Sequence, residues 1–428
     1  MVIAVGSNPI IQEDFDVWSD NITSSNNNRI PKVLNFFPIP VEEECKANDG
    51  RRTGVCMNTY ECRMQGGTSH GSCALGFGVC CVFKATCNQD VFNNLTYFVN
   101  PHFPDLTHSM SSNCELKVKK IDPEIAQIRL DFIHFNLGQP NRRTGVCEED
   151  TFVMAGGNAT ALTMCGLNSG QHVFFDVENV NEAISINMVL GKRSVSRLWE
   201  VRITQIPFAQ RAPIGCLQYH TGPKGRIQTL NFADNGRRLA NQDYNICTRQ
   251  ETGMCSIAYE PCDDNSFRIG PNPIDGTSAI NLNQMGVVND PMAAAATMSG
   301  GTSAGTQAGS TAADMGDLQD VGSGDGADID MPSITSNIQS RMMEICTDKI
   351  VMPCDSEDLL MPVDSGTGFC SLAHCGSSLC PNGESPCRVE SSVTPFTIGV
   401  QFGPSARDDS PEDNLGMCLN YEQLPCLV

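Results

Sequence analysis

The stretch WEVRIT, Trp199–Thr204, decides the fold because its side chains alternate in polarity. Its odd-numbered residues are Trp, Val and Ile, whereas its even-numbered residues are Glu, Arg and Thr. A period of two is typical of a strand with one face in a core and the other in solvent. The alternation recurs at Ile128–Phe132 and Ile184–Leu190. Several such strands, with Gly, Asn and Pro turns between them and no long helical stretch, predict an all-β fold of antiparallel sandwiches.

Cysteine usage predicts disulfides rather than zinc sites. The 428 residues include 22 cysteines, an even number, and no two of them stand in C-x2-C spacing. Disulfides require an oxidising compartment, so we expect a secreted, extracellular protein. Three glycosylation sequons agree, at Asn21, Asn94 and Asn158.

Three whole-chain properties bear on where the protein acts and on what it binds. The start MVIAVGSNPIIQEDF has no basic n-region and only a short apolar run, so it is not a signal peptide. We expect either a mature or truncated chain with a new Met or a gene model without its first exon. No apolar run approaches the ~18 residues that span a bilayer, so we predict no membrane span. The formal net charge of -21 argues against nucleic acid, because phosphate binding requires clustered Lys and Arg.

Cysteine positions and composition divide the chain into four parts. Residues 1–44 lack cysteine, are rich in Asn and Ser, and are predicted to form a flexible arm. Residues 45–82 are too few to fold on an apolar core alone, so their six cysteines would have to hold them as a small disulfide-rich module. Residues 86–208 and 213–428 each contain a set of four cysteines with similar outer spacings. The middle gap of the second set is longer because of a low-complexity acidic insertion at about 270–340, predicted to be disordered.

The six-cysteine block CKANDGRRTGVCMNTYECRMQGGTSHGSCALGFGVCC resembles the clip modules of arthropod secreted proteins. It ends, as they do, in an adjacent cysteine pair after a Gly-rich turn. Six cysteines allow 15 connectivities, and spacing does not choose among them. The resemblance implies the pairs Cys45–Cys80, Cys56–Cys73 and Cys62–Cys81.

Both four-cysteine sets resemble CUB domains, which are jelly-roll-like sandwiches in which the first cysteine pairs with the second and the third with the fourth. The resemblance is carried by CEEDTFVM from Cys147, GFC at Cys370, PFTIGVQFGPSARDD from Pro395 and GMCLNY from Gly416. The implied pairs are Cys87–Cys114, Cys147–Cys165, Cys216–Cys247 and Cys346–Cys370. The order of all these blocks resembles a group of arthropod secreted CUB-containing proteins that is largely without an assigned activity.

Eight further cysteines surround the loops and the last strand of the second set. They are Cys255, Cys262, Cys354, Cys375, Cys380, Cys387, Cys418 and Cys426. Eight cysteines allow 105 connectivities, and the residues select none. We expect these cysteines to staple long loops that present a binding surface.

The CUB resemblance also implies a calcium site, built from a Glu before the third cysteine, an Asp just after it and an Asp in the loop before the last strand. In the first set Asp150 matches the second ligand, but Gly138-Gln139 stands where the Glu should be and LGKRSVSRLW offers cations, so we expect no calcium there. In the second set Asp348 and one Asp of SARDD, which we take as Asp409, are weak calcium candidates. We predict no other cofactor.

The stretch MPVDSGTGFCSLAHC, residues 361–375, holds two fragments that a trypsin-like protease would also hold, around Ser365 and His374. In such an enzyme the histidine precedes the serine, and a second glycine follows the serine. Here the order is reversed and Thr367 replaces that glycine. We therefore predict no catalytic residues and no enzyme activity.

These observations predict a non-catalytic extracellular binding or adhesion protein whose CUB domains engage protein or glycan partners. One alternative is a structural component of cuticle or extracellular matrix. Another is a regulator of a secreted protease cascade without activity of its own.

Overall fold

The computed structural model describes residues 44–107, 113–156, 160–193, 195–270, 346–353, 372–380, 386–404 and 414–426. The predicted arm up to residue 43 and nearly all of the predicted insertion lie outside these ranges. Within them the chain forms 23 strands, one α-helix, α1 (Thr59–Met64), and two 3-10 turns at Ala74–Gly76 and Phe208–Gln210. The prediction of an all-β fold is confirmed.

The cysteine-rich N-terminal segment contributes the first four strands. They are β1 (Glu44–Lys46), β2 (Thr53–Met57), β3 (Thr68–Cys73) and β4 (Gly78–Ala85). The helix α1 begins at Asn58, whose side chain accepts a hydrogen bond from the Tyr60 amide at 2.8 Å. Strand β4 pairs with β2 and β3 over its first part and with the next sandwich over Phe83–Ala85. The boundary predicted between residues 82 and 86 therefore lies within one continuous strand.

Residues 86–208 form the first sandwich. Its own strands are β5 (Gln89–Val91), β6 (Thr96–Val99), β7 (Cys114–Val118), β8 (Ile125–Asn136), β9 (Thr151–Ala155), β10 (Leu162–Met164), β11 (His172–Asp176), β12 (Ile184–Val189) and β13 (Leu198–Pro207). One sheet has the order β1-β2-β4-β6-β13-β8-β11, with β3 beside β4, and the facing sheet has the order β10-β9-β12-β7-β5. Between them Trp199 is fully buried with its ring 6.0 Å from that of Phe98.

The opening stretch lies in β13, and its apolar residues face the core as the alternation predicts. Glu200, on the opposite face, is nevertheless only 4% exposed. The reason is tertiary, because Arg52 of the N-terminal segment lies across the sheet with its Nε 2.7 Å from the Glu200 carboxylate. The N-terminal segment thus covers part of a face that the sequence pattern assigns to solvent.

The second sandwich holds the remaining strands. They are β14 (Cys216–His220), β15 (Lys224–Gln228), β16 (Gln242–Thr248), β17 (Met254–Pro261), β18 (Phe267–Arg268), β19 (Lys349–Val351), β20 (Ala373–His374), β21 (Val389–Ser391), β22 (Phe396–Phe402) and β23 (Gly416–Pro425). Its sheets have the orders β14-β16-β22-β19-β20 and β15-β23-β17-β21, with β18 beside β23. Pairing is antiparallel throughout the described strands except at β4–β6, β5–β7 and β14–β16.

All cysteines that the structure describes are paired. Six pairs coincide with those implied by the family resemblances: Cys45–Cys80, Cys56–Cys73, Cys62–Cys81, Cys87–Cys114, Cys147–Cys165 and Cys216–Cys247. Three pairs staple the second sandwich where spacing selected none: Cys255–Cys426, Cys262–Cys418 and Cys380–Cys387.

The expected pair Cys346–Cys370 is wrong, because Cys346 pairs with Cys375. The physical reason is the register of two short strands. Strands β19 and β20 are antiparallel, with Ile350 opposite His374. Cys375, the residue after β20, therefore lies beside the residues that precede β19, where Cys346 is found. Cys370 and Cys354 lie outside the described residues.

The two sandwiches are joined by a polar interface. Asn231 of the second sandwich accepts the Leu167 amide at 2.8 Å and donates to Gln139 at 3.0 Å, while its own amide donates to Asn168 at 2.7 Å. Gly166 borders this contact with φ +81°, and a Cβ there would lie 2.1 Å from the Asn231 Oδ1. This close approach requires glycine, and it holds the loops of the two sandwiches against each other.

Candidate functional site

The carboxylate of Asp150, one of the CUB-like positions, is held by an arginine. Asp150 lies just before β9 and accepts backbone hydrogen bonds from Gly138 at 2.8 Å and Gly191 at 2.9 Å. Arg197 adds a two-point contact, with Nε 2.7 Å from Oδ2 and Nη2 2.8 Å from Oδ1. Both side chains are fully buried.

Two opposing effects set the pKa of the Asp150 carboxyl. Burial raises it, whereas the Arg197 hydrogen bonds, the two backbone N–H groups and the Arg197 charge lower it. The lowering effects win, so the pKa lies below its ordinary value. Asp150 is therefore ionised at neutral pH and forms a buried ion pair.

The second sandwich repeats this arrangement at Asp348. Arg238 Nε lies 2.8 Å from Asp348 Oδ2, the Gly403 amide donates to Oδ1 at 2.8 Å, and the Asn414 amide group donates to Oδ2. Both members of the ion pair are at most 6% exposed. The two arginines are not at equivalent positions in the strand order, since Arg197 precedes β13, the last strand of the first sandwich, whereas Arg238 precedes β16, near the start of the second.

The residues around these two carboxylates do not fit a calcium ion. Calcium takes six to eight oxygen ligands, but each carboxylate here is contacted by N–H donors and by a guanidinium that supplies the positive charge. At Gly138, where the resemblance would place a Glu ligand, an added Cβ would lie 3.0 Å from Asp150. Within the described ranges no three His, Cys, Asp or Glu side chains form a group suited to a metal ion. The other candidate, Asp409, lies outside those ranges.

Calcium removal therefore serves as a test of the ion pairs. Because Arg197 and Arg238 already neutralise the two carboxylates, we expect excess EDTA to leave the melting temperature unchanged to within about 1 °C. The measurement is differential scanning calorimetry of the full chain with EDTA and with added calcium. A calcium-dependent rise of several degrees would show that a calcium site exists in spite of the two arginines.

A cleft of about 540 Å³ adjoins the Asp150–Arg197 pair. Four arginines from both sandwiches line it, together with two glutamates: Arg142, Arg143, Arg193, Arg237, Glu148 and Glu149. We call it the arginine cleft. Arg193 Nε contacts Glu149 at 3.1 Å, and Asn141 donates to Glu148 at 2.9 Å. The excess of guanidinium over carboxylate groups makes the cleft basic in an otherwise acidic protein.

Contacts between the sandwiches position the arginines of the cleft. Arg237 donates to the Pro140 carbonyl at 3.0 Å, and the Ala240 amide donates to the Gly145 carbonyl at 2.9 Å. Burial, and then the charge of Arg142, lower the pKa of the Arg237 guanidinium below its ordinary value. The effect of Arg142 on Arg237 indicates that like charges lie close together in the arginine cleft.

A histidine pair lies elsewhere in the same interface. His172 of β11 and His220 of β14 have ring centroids 4.9 Å apart, and Tyr421 packs 6.4 Å from His220. His172 Nε2 is 2.9 Å from the Tyr219 carbonyl. Burial, then the His172 and Arg129 charges, lower the pKa of His220 to about 4. Burial and Arg129 also lower the pKa of His172. Both rings are thus neutral at physiological pH.

The remaining predicted site residues are dispersed. His374 is buried in β20 with its Nδ1 3.1 Å from the Leu379 carbonyl, and Ser365 lies outside the described residues. Of the glycosylation sequons, Asn94 is half-buried in the turn before β6 and accepts the Gln205 amide at 2.8 Å. Asn21 and Asn158 lie outside the described ranges.

Sequence reasoning found Asp150 and Asp348 but missed the arginines that hold them. The cations of LGKRSVSRLW, which include Arg197, were a usable signal for the first pair. Arg238 stands 110 positions from Asp348, and no local pattern links the two. The arginine cleft was also missed, because its residues come from three separate loops, between β8 and β9, β12 and β13, and β15 and β16.

A family model matches the second half of the chain. Residues 213–424 match the family model described as the animal CUB domain. No curated protein matches the chain. No helix within the described ranges has the length and apolar character to cross a membrane.

Several solved structures contain similar parts. The CUB1-EGF-CUB2 domains of rat MASP-1 are 12% identical with a TM-score of 0.23, over 80% of this chain and 99% of that one. The CUB1-EGF-CUB2 domain of human MASP-1/3 is 12% identical with a TM-score of 0.23, over 78% and 100%. The extracellular region of zebrafish Gpr126/Adgrg6 is 14% identical with a TM-score of 0.23, over 42% and 22%. Residues 213–424 thus form a disulfide-paired β-sandwich whose sequence matches the animal CUB domain.

Proposed function

We propose that the protein is a non-catalytic, secreted binding protein that engages an extracellular protein or glycan through the surface where its two sandwiches meet. CUB domains mediate protein interactions and are generally non-catalytic, which supports this assignment. The disulfide pairing supports an extracellular location, since such bonds persist in oxidising compartments.

The arginine cleft is the observation that carries the proposal. Ligand sites are typically concave, lie at domain junctions and contain a few convergent polar groups. The cleft meets all three conditions, and the contacts between Asn231 and the Gln139 and Leu167 region hold its walls in place. A preorganised surface of this kind loses little conformational entropy on binding.

The N-terminal segment fits a docking role in the same proposal. Its three disulfides have the connectivity of the clip modules that its sequence resembles. It is joined to the first sandwich through β4 and through a hydrogen bond from the Thr53 amide to the Tyr97 hydroxyl at 2.8 Å. Its Leu75 is fully exposed and offers an apolar contact to a partner protein.

A defined binding panel tests the proposal. The full chain is immobilised, and purified extracellular-matrix proteins and a glycan array are passed over it. We expect saturable binding to at least one member, and we expect the reduced and alkylated chain to lose it because its loops are no longer held. Absence of saturable binding, together with labelling of Ser365 by a fluorophosphonate probe, would favour a hydrolase instead.

A further inference from the structure

We infer that the arginine cleft binds a linear, sulfated acidic glycan, with its sulfate groups seated on the guanidinium groups. This inference rests on the proposed function and names the ligand class for it. The cleft adjoins Asp150 of the first sandwich, where we predicted no calcium, and no sequence pattern identified it as a ligand site.

The first argument is the kind of cation. All four basic side chains that line the cleft are arginines, and three of them, Arg142, Arg143 and Arg193, are exposed. A guanidinium presents a planar fork of N–H donors that matches the oxygens of sulfate, phosphate or carboxylate at two points. A set of such forks facing one space is suited to an oxyanion.

The second argument is charge crowding. Burial is the main cause of the lowered pKa of Arg237, and the Arg142 charge adds to it because the two guanidinium groups repel each other. A bound anion would relieve this repulsion. The overall charge of -21 does not prevent it, because the Debye length is about 8 Å at physiological ionic strength and nearby charges dominate.

The third argument is the shape. A smaller cavity of about 260 Å³ shares Arg142 and Arg237 with the cleft and adds Arg268 and Asp234. The two cavities are therefore adjacent, and basic groups line both of them. Two neighbouring basic cavities suit a chain of repeating charged units better than a single small anion.

The fourth argument separates a glycan from an acidic peptide. The side chains between the arginines are mostly polar and include Glu148, whose carboxylate can accept hydrogen bonds from sugar hydroxyls. Pro140 and Val195 are the apolar side chains of the lining, and they offer no deep pocket for the aromatic or aliphatic anchor that a peptide typically uses. These features favour a polyhydroxylated ligand.

The test measures binding of a heparin-derived octasaccharide to the full chain by isothermal titration calorimetry. We expect micromolar binding that weakens as salt is raised, and at least a tenfold increase in Kd for the double variant Arg142→Gln/Arg193→Gln. Arg51→Gln/Arg63→Gln, which removes the same charge from exposed positions of the N-terminal segment, should leave the Kd unchanged. Arg142→Lys/Arg193→Lys should give an intermediate Kd, because the charge remains but the planar fork is lost.

Three outcomes would overturn the inference. The first is equal binding by the wild type and the Arg142→Gln/Arg193→Gln variant, with both shown to be folded by calorimetry. The second is equal binding of the desulfated octasaccharide. The third is binding of a tyrosine-sulfated peptide but not of the octasaccharide, which would assign the cleft to a protein partner. None of these results contradicts the proposed binding function, which the panel of proteins and glycans tests separately.

Discussion

Asp150→Asn is expected to lower the free energy of unfolding of the first sandwich by about 3–5 kcal/mol. The substitution keeps the shape of the side chain but leaves the fully buried Arg197 without its countercharge. Without its partner the desolvation free energy of the buried guanidinium is no longer offset, because solvent does not reach the charge. The two backbone N–H groups of Gly138 and Gly191 would also lose a charged acceptor.

Denaturation followed by tryptophan fluorescence measures this effect. The chain has two tryptophans, Trp18 and the fully buried Trp199, so a Trp18→Phe background makes the signal specific to the first sandwich. Asp90→Asn is the matched control, because it breaks an exposed pair of the same sandwich, with Lys119, and should cost at most about 1 kcal/mol. If Asp150→Asn proves as mild as Asp90→Asn, the buried ion pair does not stabilise the sandwich in the way we describe.

Lowering the pH from 7.5 to 5 is expected to reduce the free energy of unfolding by about 2 kcal/mol through His220. The pKa of His220 is lowered from 6.5 to about 4 in the folded protein. Between these values the unfolded chain takes up a proton that the folded protein does not, so stability falls as pH falls. The loss begins near pH 6.5 and is complete near pH 4. His172, whose pKa is also lowered, acts in the same direction.

His220→Phe should remove most of this pH dependence. Phenylalanine keeps a ring against His172 and Tyr421 and eliminates the Nε2 atom, which is buried and has no hydrogen-bond partner among the described residues. The control is His102→Asn, since His102 is exposed and has φ +64°, a conformation that asparagine tolerates. Urea denaturation of the three proteins between pH 7.5 and 5 makes the comparison. If the free energy of unfolding falls with pH as steeply in His220→Phe as in the wild type, His220 is not the source of the pH dependence.

The fold class follows from local patterns in the sequence. Alternation at WEVRIT placed its apolar residues in the core, because neighbouring side chains of a strand point to opposite faces whatever the strand pairs with. Cysteine number and spacing likewise indicated disulfides without reference to any contact. The burial of Glu200 could not be predicted, because it depends on Arg52 of a segment 148 positions earlier in the chain.

In the second sandwich, the disulfide partner of Cys346 likewise could not be predicted from the sequence. Its resemblance-based partner, Cys370, is only five positions from the observed partner, Cys375, and spacing does not separate two candidates so close together. The register of β19 against β20 makes the choice. The two aspartates were identified from their positions after a cysteine, but their chemistry depends on which group reaches them.

For this protein, then, sequence alone was sufficient for an all-β, disulfide-rich chain with CUB-like repeats and for the positions of Asp150 and Asp348. Tertiary structure was needed to show that each carboxylate meets an arginine, and that three loops gather arginines into one cleft. The physical reason is range. Strand alternation acts between adjacent residues, whereas ion pairs and clefts depend on distances of a few ångströms between residues far apart in the chain.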